Sequence, residues 1–322
     1  MAPSGSCSVV NYHGVLPSDY AANDPDLDGN VLPLEVFRRQ LLFLKARYHI
    51  VHPEDFRVWI EQGKMLPPRS VLITCDDGPL NALTDMLPVL EKEAVSCLFF
   101  VTGASCSDQP GMLWYEELYL LLRAARTLGT ELPGLPARDG DAATTSASLQ
   151  SQWWDMVQAA SRFDAEARAN WMASLRSRCG TATFDSERRW RLLNRQELIR
   201  LAEAGMGIGA HTLTHPVLAQ CSESEARREI QGSKVEIERA LGRPVWAFAY
   251  PFCHPSTMGE REVRMAQEAG FTCAFLNVGG GSADRSRPLE LRRTHVSADM
   301  NLAEIEAHMV GFHTRLQRTV RG

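Results

Sequence analysis

Short β-type runs alternate with amphipathic stretches along most of this chain, and that alternation restricts its fold more than any other feature. The runs Ser8–Tyr12, Val71–Cys75, Ser96–Val101, Gly207–Ala210, Val245–Tyr250, Thr272–Leu276 and Glu290–Val296 read as strands. Leu34–Tyr48, Leu80–Glu93, Asn194–Ala204, Ser222–Leu241, Gly259–Ala269 and Leu302–Leu316 carry the apolar spacing of helices. A helix between two strands returns the chain to the starting end, so the strands pair in parallel. The expectation is an α/β fold, with a parallel sheet inside and helices outside. The pattern leaves a barrel or a doubly wound sheet.

One segment departs from this rhythm. Between about Ser105 and Trp190 there are helical patterns, at Leu113–Leu128 and Trp153–Arg178, and no convincing strand. Gly129–Ser151, rich in Gly, Pro, Ala, Ser and Thr, reads as a loop. Residues 105–190 are therefore taken as a helical insertion within a single domain spanning 1–322. Its Trp114, Trp153, Trp154 and Trp171 are expected to pack the insertion onto the rest rather than to line a sugar site.

Composition excludes several classes. The net charge of −5 and the scattered basic residues leave no footprint for a nucleic-acid partner. No window approaches the ~18 apolar residues of a membrane span. The start, MAPSGSCSVVNYHG, has neither a basic nor an apolar leader region, so a cytoplasmic protein is expected. Eight cysteines without a CxxC pair read as reduced, buried thiols rather than a disulfide framework or a cysteine zinc site.

Catalytic groups of barrel folds sit at the carboxyl ends of the strands, and several strands here end in polar residues. The first ends in His13 and the second in Asp76-Asp77-Gly78. A later one ends in His211, with His215 four residues on, and another runs into 248-FAYPFCHP-255. The histidine spacing places two imidazoles on one side of a helical turn. With one carboxylate they make a three-ligand site with an open position, as catalytic zinc sites do. Either motif alone is weak, since DDG is also an ordinary turn; their order at strand ends is the stronger signal.

ITCDDG followed by a helix and LFFVTG, then AHTLTH and FAYPF, resembles the polysaccharide deacetylases, carbohydrate esterase family 4. YHGV near the start resembles that family's opening, and the likeness covers about 7–103 and 194–300. The resemblance implies an irregular (β/α) barrel of the deacetylase type with the insertion outside it. It implies Asp76 as general base and Asp77, His211 and His215 as ligands of one divalent transition metal, zinc expected first, although this donor set suits several metals. It implies an oxyanion held by the backbone N–H of Phe252. The activity implied is hydrolysis of an N-acyl group, first of all N-acetyl, on an amino-sugar substrate that is lipid- or nucleotide-linked if the protein is cytoplasmic.

The chain departs from the family pattern in two places. The family's arginine two residues before the third-motif proline is Ala249 here, so the charge that orients the base must come from elsewhere. Arg292 and Arg293 are the replacements expected, Arg293 first. The leucine-x-histidine motif that supplies the acid is also absent, and His295 takes its place if it faces the site, with His254 and His13 as further candidates. Two other readings stay open: a deformylase or other amide hydrolase on a non-sugar substrate, and a degenerate glycan-binding protein. The oligomeric state is not legible.

Overall fold

The computed structural model describes residues 6–17, 20, 30–130, 132, 148–179, 187–252 and 257–311. Eleven strands occur among them. β1 is Cys7–Tyr12, β2 Val15–Leu16, β3 Leu32–Pro33, β4 His49–Ile50, β5 Ser70–Cys75 and β6 Leu98–Val101. β7 is Gly207–Ala210, β8 Ala247–Ala249, β9 Cys273–Leu276, β10 Leu291–Arg292 and β11 Thr294–His295. β2 and β3 form a small separate pair. The rest make one sheet in the order β10-β9-β8-β7-β6-β5-β1-β11, with β4 also on β5, and every pairing is parallel.

The two edges of this sheet are consecutive in sequence. Leu291–Arg292 pairs with β9, and Thr294–His295 pairs with β1 on the far side. The expected single strand Glu290–Val296 is thus two short strands either side of Arg293. That one residue carries the chain from one edge to the other and nearly closes the sheet into a barrel.

Strand parity divides the core. Outward residues such as Val10, Tyr12, Ile73, Phe99 and Phe248 pack beneath the surrounding helices. Inward residues such as Val9, Leu72, Phe100, Ala249, Phe275 and Leu291 fill the barrel, and Phe56, Trp59 and Ile60 of the Pro53–Gln62 helix join them. The polar residues Asn11, Thr74 and Asp76 share the parity of Val9 and Leu72, so they stand above this apolar filling at the carboxyl end.

Two expected helices are broken, each for a local reason. Leu80–Glu93 is a π turn at Ala82–Met86 followed by an α-helix at Leu87–Lys92. Pro88 has no N–H to offer the preceding turn, and the wider turn accommodates the missing bond. Trp153–Arg178 is two helices, Leu149–Ala160 and Ala165–Cys179. Asp164 restarts the second by accepting a hydrogen bond from Ala167 N–H at 2.8 Å. The closing helix covers Leu302–Met309, and the rest of its expected span lies mostly outside the described residues.

Between Ser105 and Trp190 the described residues hold helices and no strand, and β6 and β7 on either side are neighbours in the sheet. The expected loop Gly129–Ser151 falls mostly outside the described residues. The seven described cysteines are free and buried, and no helix among the described residues is long and apolar enough to cross a membrane.

Candidate functional site

β5 delivers Asp76 and Asp77 to the carboxyl end of the barrel, and the chain then turns sharply. Asp77 has φ +75° and Gly78 φ +72°. A Cβ on Gly78 would lie 2.9 Å from Val101 Cγ1, so the turn is tight as well as left-handed. Only six described non-glycine residues have positive φ, and four of them, Asp77, Thr212, His215 and Phe252, gather here. Such backbone strain costs about 1–3 kcal/mol per residue and concentrates where function requires it.

His211 and His215 do not lie on a helical turn. The chain leaves β7 in an irregular loop. Thr212 and His215 are left-handed, and Thr212 Oγ1 accepts the His215 N–H at 3.1 Å. The loop nevertheless brings both rings to one carboxylate. Asp77 Oδ1 stands 3.4 Å from His211 Nε2 and 3.2 Å from His215 Nε2. One ligand atom from each residue falls within 4.8 Å of the others, and all three residues are buried.

The donor chemistry fits a divalent transition metal. His211 Nδ1 lies 2.7 Å from the Ala249 carbonyl, so that nitrogen carries the proton and Nε2 presents its lone pair to Asp77. Asp77 Oδ1 is buried without a conventional hydrogen-bond donor. Two imidazole nitrogens and one carboxylate oxygen brought together are the donors such an ion takes. Burial raises the Asp77 carboxyl, but the adjoining His211 and His215 imidazoles outweigh it and hold the group well below the usual carboxylate range. Burial pushes His211 down, yet the charges of Asp76 and Asp77 carry it above its ordinary value. For His215 burial prevails and the ring is held low.

Asp76 is held differently. Arg293 is fully buried and grips it with two bonds, Nη1 to Oδ1 at 2.7 Å and Nη2 to Oδ2 at 2.6 Å. The guanidinium also donates to Asn11 Oδ1 at 2.9 Å, Thr74 Oγ1 at 3.2 Å and the Leu276 carbonyl at 3.3 Å. Asn11 Nδ2 adds a 2.9 Å bond to Asp76 Oδ2. Burial raises the Asp76 carboxyl, but the Arg293 charge and its hydrogen bonds, with His211 nearby, hold it below its ordinary value. The guanidinium stands where the missing arginine at Ala249 left the charge to be found, while Arg292 is exposed.

His295 faces inward, since its register partner is Asn11 rather than Val10. Its ring centre is 5.0 Å from that of His13, and His13 Nε2 is 4.0 Å from Asp76 Oδ2. Burial, then His13 and Arg293, push the His295 imidazole down to about 3, so it is neutral in the resting site. His254 lies outside the described residues. Phe252, at φ +51°, packs its ring 4.6 Å from His215 and 5.0 Å from Tyr115.

Four site residues were not anticipated. Asn11 and Thr74 were readable in principle as polar residues at inward positions of apolar strands, and Asn277, whose Oδ1 accepts from Asn11 Nδ2 at 3.2 Å, directly follows β9. Tyr115, whose hydroxyl reaches Asp77 Oδ2 at 3.5 Å, comes from the helical segment and carries no local signal. The tryptophans there do more than pack. Trp114 Nε1 donates to the His215 carbonyl at 2.9 Å, and Trp153 Nε1 to the Tyr115 carbonyl at 2.7 Å. Trp154 is partly exposed beside Phe252, and Trp171 is buried.

A family model described as polysaccharide deacetylase matches residues 164–274. The match includes His211, His215 and Phe252 and begins inside the helical segment; Asp76, Asp77, Arg293 and His295 lie outside it. No curated protein matches the sequence. Among solved structures, the fold is similar to the Streptococcus pyogenes deacetylase PplD, with TM-score 0.59 and 14% identity over 95% of this chain and 99% of that chain. It is similar to a de-N-acetylase from Aggregatibacter actinomycetemcomitans, with TM-score 0.58 and 13% identity over 94% and 99%. It is also similar to BC0361, a polysaccharide deacetylase from Bacillus cereus, with TM-score 0.56 and 15% identity over 95% and 69%. At these identities the structures speak for the fold, and the deacetylase-type barrel expected from the motifs is the fold observed.

Proposed function

We propose, for a chain that resembles the polysaccharide deacetylases in sequence and in fold, that it is a metal-dependent hydrolase removing an N-acyl group, first of all N-acetyl, from an amino-sugar substrate. The observation that carries this reading is the pairing of two unlike carboxylates. Asp77 meets two imidazoles, and Asp76, its neighbour in sequence, meets a buried arginine. Adjacent acids repel each other, and here each has its own source of positive charge or metal-binding partners.

Asp77, His211 and His215 would hold the metal, with zinc as the first expectation. When bound, a divalent cation supplies Lewis acidity to such a site. Asp76, ionised and fixed by Arg293 and Asn11, accepts a proton from the attacking water. The water oxygen bonds to the acyl carbon, and the backbone at Phe252 helps to hold the developing oxyanion. When the C–N bond breaks, the amine leaves with a proton. His295 enters the reaction neutral, so the proton at hand is the one Asp76 has collected, passed on directly or through His295.

A missing arginine at position 249 would favour the glycan-binding alternative, but Arg293 supplies a guanidinium to Asp76 instead. The experiment is acetate and formate release from N-acetyl and N-formyl amino sugars, tested as oligomers and as lipid- and nucleotide-linked forms. Metal content is measured on the same preparations. Wild type should carry about one metal per chain and release acetate, while Asp76→Asn should keep the metal and lose turnover by about 10²–10⁴-fold. A metal-free wild type that takes up no zinc, or Asp76→Asn at the wild-type rate, rejects the proposal.

A further inference from the structure

The two imidazoles of the candidate metal centre are supported in different ways. His211 is oriented through its own ring, since Nδ1 is fixed by the Ala249 carbonyl. His215 has no such tether, because its Nδ1 is buried and finds no partner among the described residues. A metal-binding histidine is ordinarily aimed by the hydrogen bond of its second nitrogen. His215 is aimed through its backbone instead, and that backbone is left-handed.

The anchors of that backbone come largely from the helical segment between β6 and β7. Trp114 Nε1 donates to the His215 carbonyl at 2.9 Å. Ser161, fully buried between two helices, accepts the Val217 N–H at 3.2 Å, and its own hydroxyl donates to Val157 O at 2.8 Å. Arg168, nearly fully buried, donates to the Thr214 hydroxyl and lies 5.2 Å above the Trp114 ring. On the other side Glu229, buried on the long Glu223–Leu241 helix, accepts both the Thr214 N–H at 2.8 Å and its hydroxyl at 2.6 Å. Burying Arg168 and Glu229 is costly unless both are satisfied, and both are satisfied on this loop.

We infer that Trp114, Ser161 and Arg168 are positioning residues for the third metal ligand. The helical segment is then part of the metal centre, and it fixes His215 in the conformation in which Nε2 meets Asp77. This inference rests on the metal-dependent reading above. It assigns metal affinity to residues that touch neither metal nor substrate.

The test is zinc affinity of the full chain by competition with a chromogenic chelator. Trp114→Phe, Ser161→Ala and Arg168→Met are measured beside wild type, with His215→Ala as the ligand-loss reference. Arg176→Ala is the control; it lies on the Ala165–Cys179 helix and pairs with Glu117 away from the loop. Trp114→Phe keeps a ring beneath Arg168 and removes only the donor. Trp114→Phe and Arg168→Met should each weaken zinc binding about tenfold, with Ser161→Ala in the same direction and Arg176→Ala unchanged. Cobalt-loaded Trp114→Phe should show a shifted visible spectrum, whereas a purely structural defect would lower the metal-free melting temperature and leave that spectrum alone. If all three variants bind zinc as wild type does while His215→Ala loses it, the positioning role is overturned and the metal centre stands. If His215→Ala binds as tightly as wild type, the metal reading fails and the inference fails with it.

Discussion

Replacing Arg293 by methionine removes the partner of a fully buried carboxylate while keeping much of the side-chain volume. Asp76 loses the bonds of 2.7 and 2.6 Å and retains the one from Asn11. Removing one member of a buried ion pair costs about 3–5 kcal/mol, because the other is left uncompensated. Domains typically have 5–15 kcal/mol of stability, so the variant should fold with a much lower urea midpoint. The pH dependence gives the sign. In the wild type the Asp76 carboxyl lies below its ordinary value. Its contribution is present above the unfolded value of about 4 and is lost as pH falls through the folded one. Without the guanidinium, burial is the largest remaining influence and the carboxyl should rise above its ordinary value. Asp76 then weakens the fold at pH 7, and metal-free Arg293→Met should gain stability relative to wild type between pH 7 and 5. Asp76→Asn/Arg293→Met removes both charges and should cost less than the two single changes summed, by about 2–4 kcal/mol. Urea unfolding of the four proteins across that pH range is the assay. A loss under about 1 kcal/mol, or additive effects, would refute the argument that this pair is a single unit.

His295→Gln should lower kcat less than tenfold if the neutral imidazole is not the stored acid, and a loss of about 10²-fold or more would restore that role. Chelator should lower the melting temperature of wild type but not of His211→Ala/His215→Ala. Free zinc at about 100 times its Kd adds about 2.7 kcal/mol to a protein with one intact site. Gly209→Ala would bring a Cβ within 2.5 Å of the buried Phe100 ring and 3.1 Å of the Ala247 carbonyl. It should cost about 1–3 kcal/mol, and an unchanged urea midpoint would show that the barrel has room there.

The parallel fold was legible because strand and helix periods differ and alternate. The cluster of Asp77, His211 and His215 was legible because two motifs fall at strand ends in a known order. The arginine was foreseen from a deficit at Ala249, and parity within the last strand pair would have placed His295 as well. What could not be read depends on contacts between distant segments. Tyr115 and Trp114 reach the site only because the helical segment folds back over it. The histidine loop looks helical in its spacing, yet Thr212 and His215 take left-handed conformations that no local preference predicts. The broken helix at Leu80–Glu93 was marked by Pro88, a signal the periodicity concealed.

The closure of the barrel at Arg293 also has a consequence for the order in which the protein is made. Asp76 and Arg293 are 217 positions apart, so the ribosome completes strand β5 long before it supplies the arginine. Until then the carboxylate faces an unfinished sheet with its cation still unsynthesised. A chain that stops short of Arg293 lacks β11 and the charge that keeps Asp76 in place. Closure of the sheet and completion of the Asp76–Arg293 pair thus arrive together, on one residue.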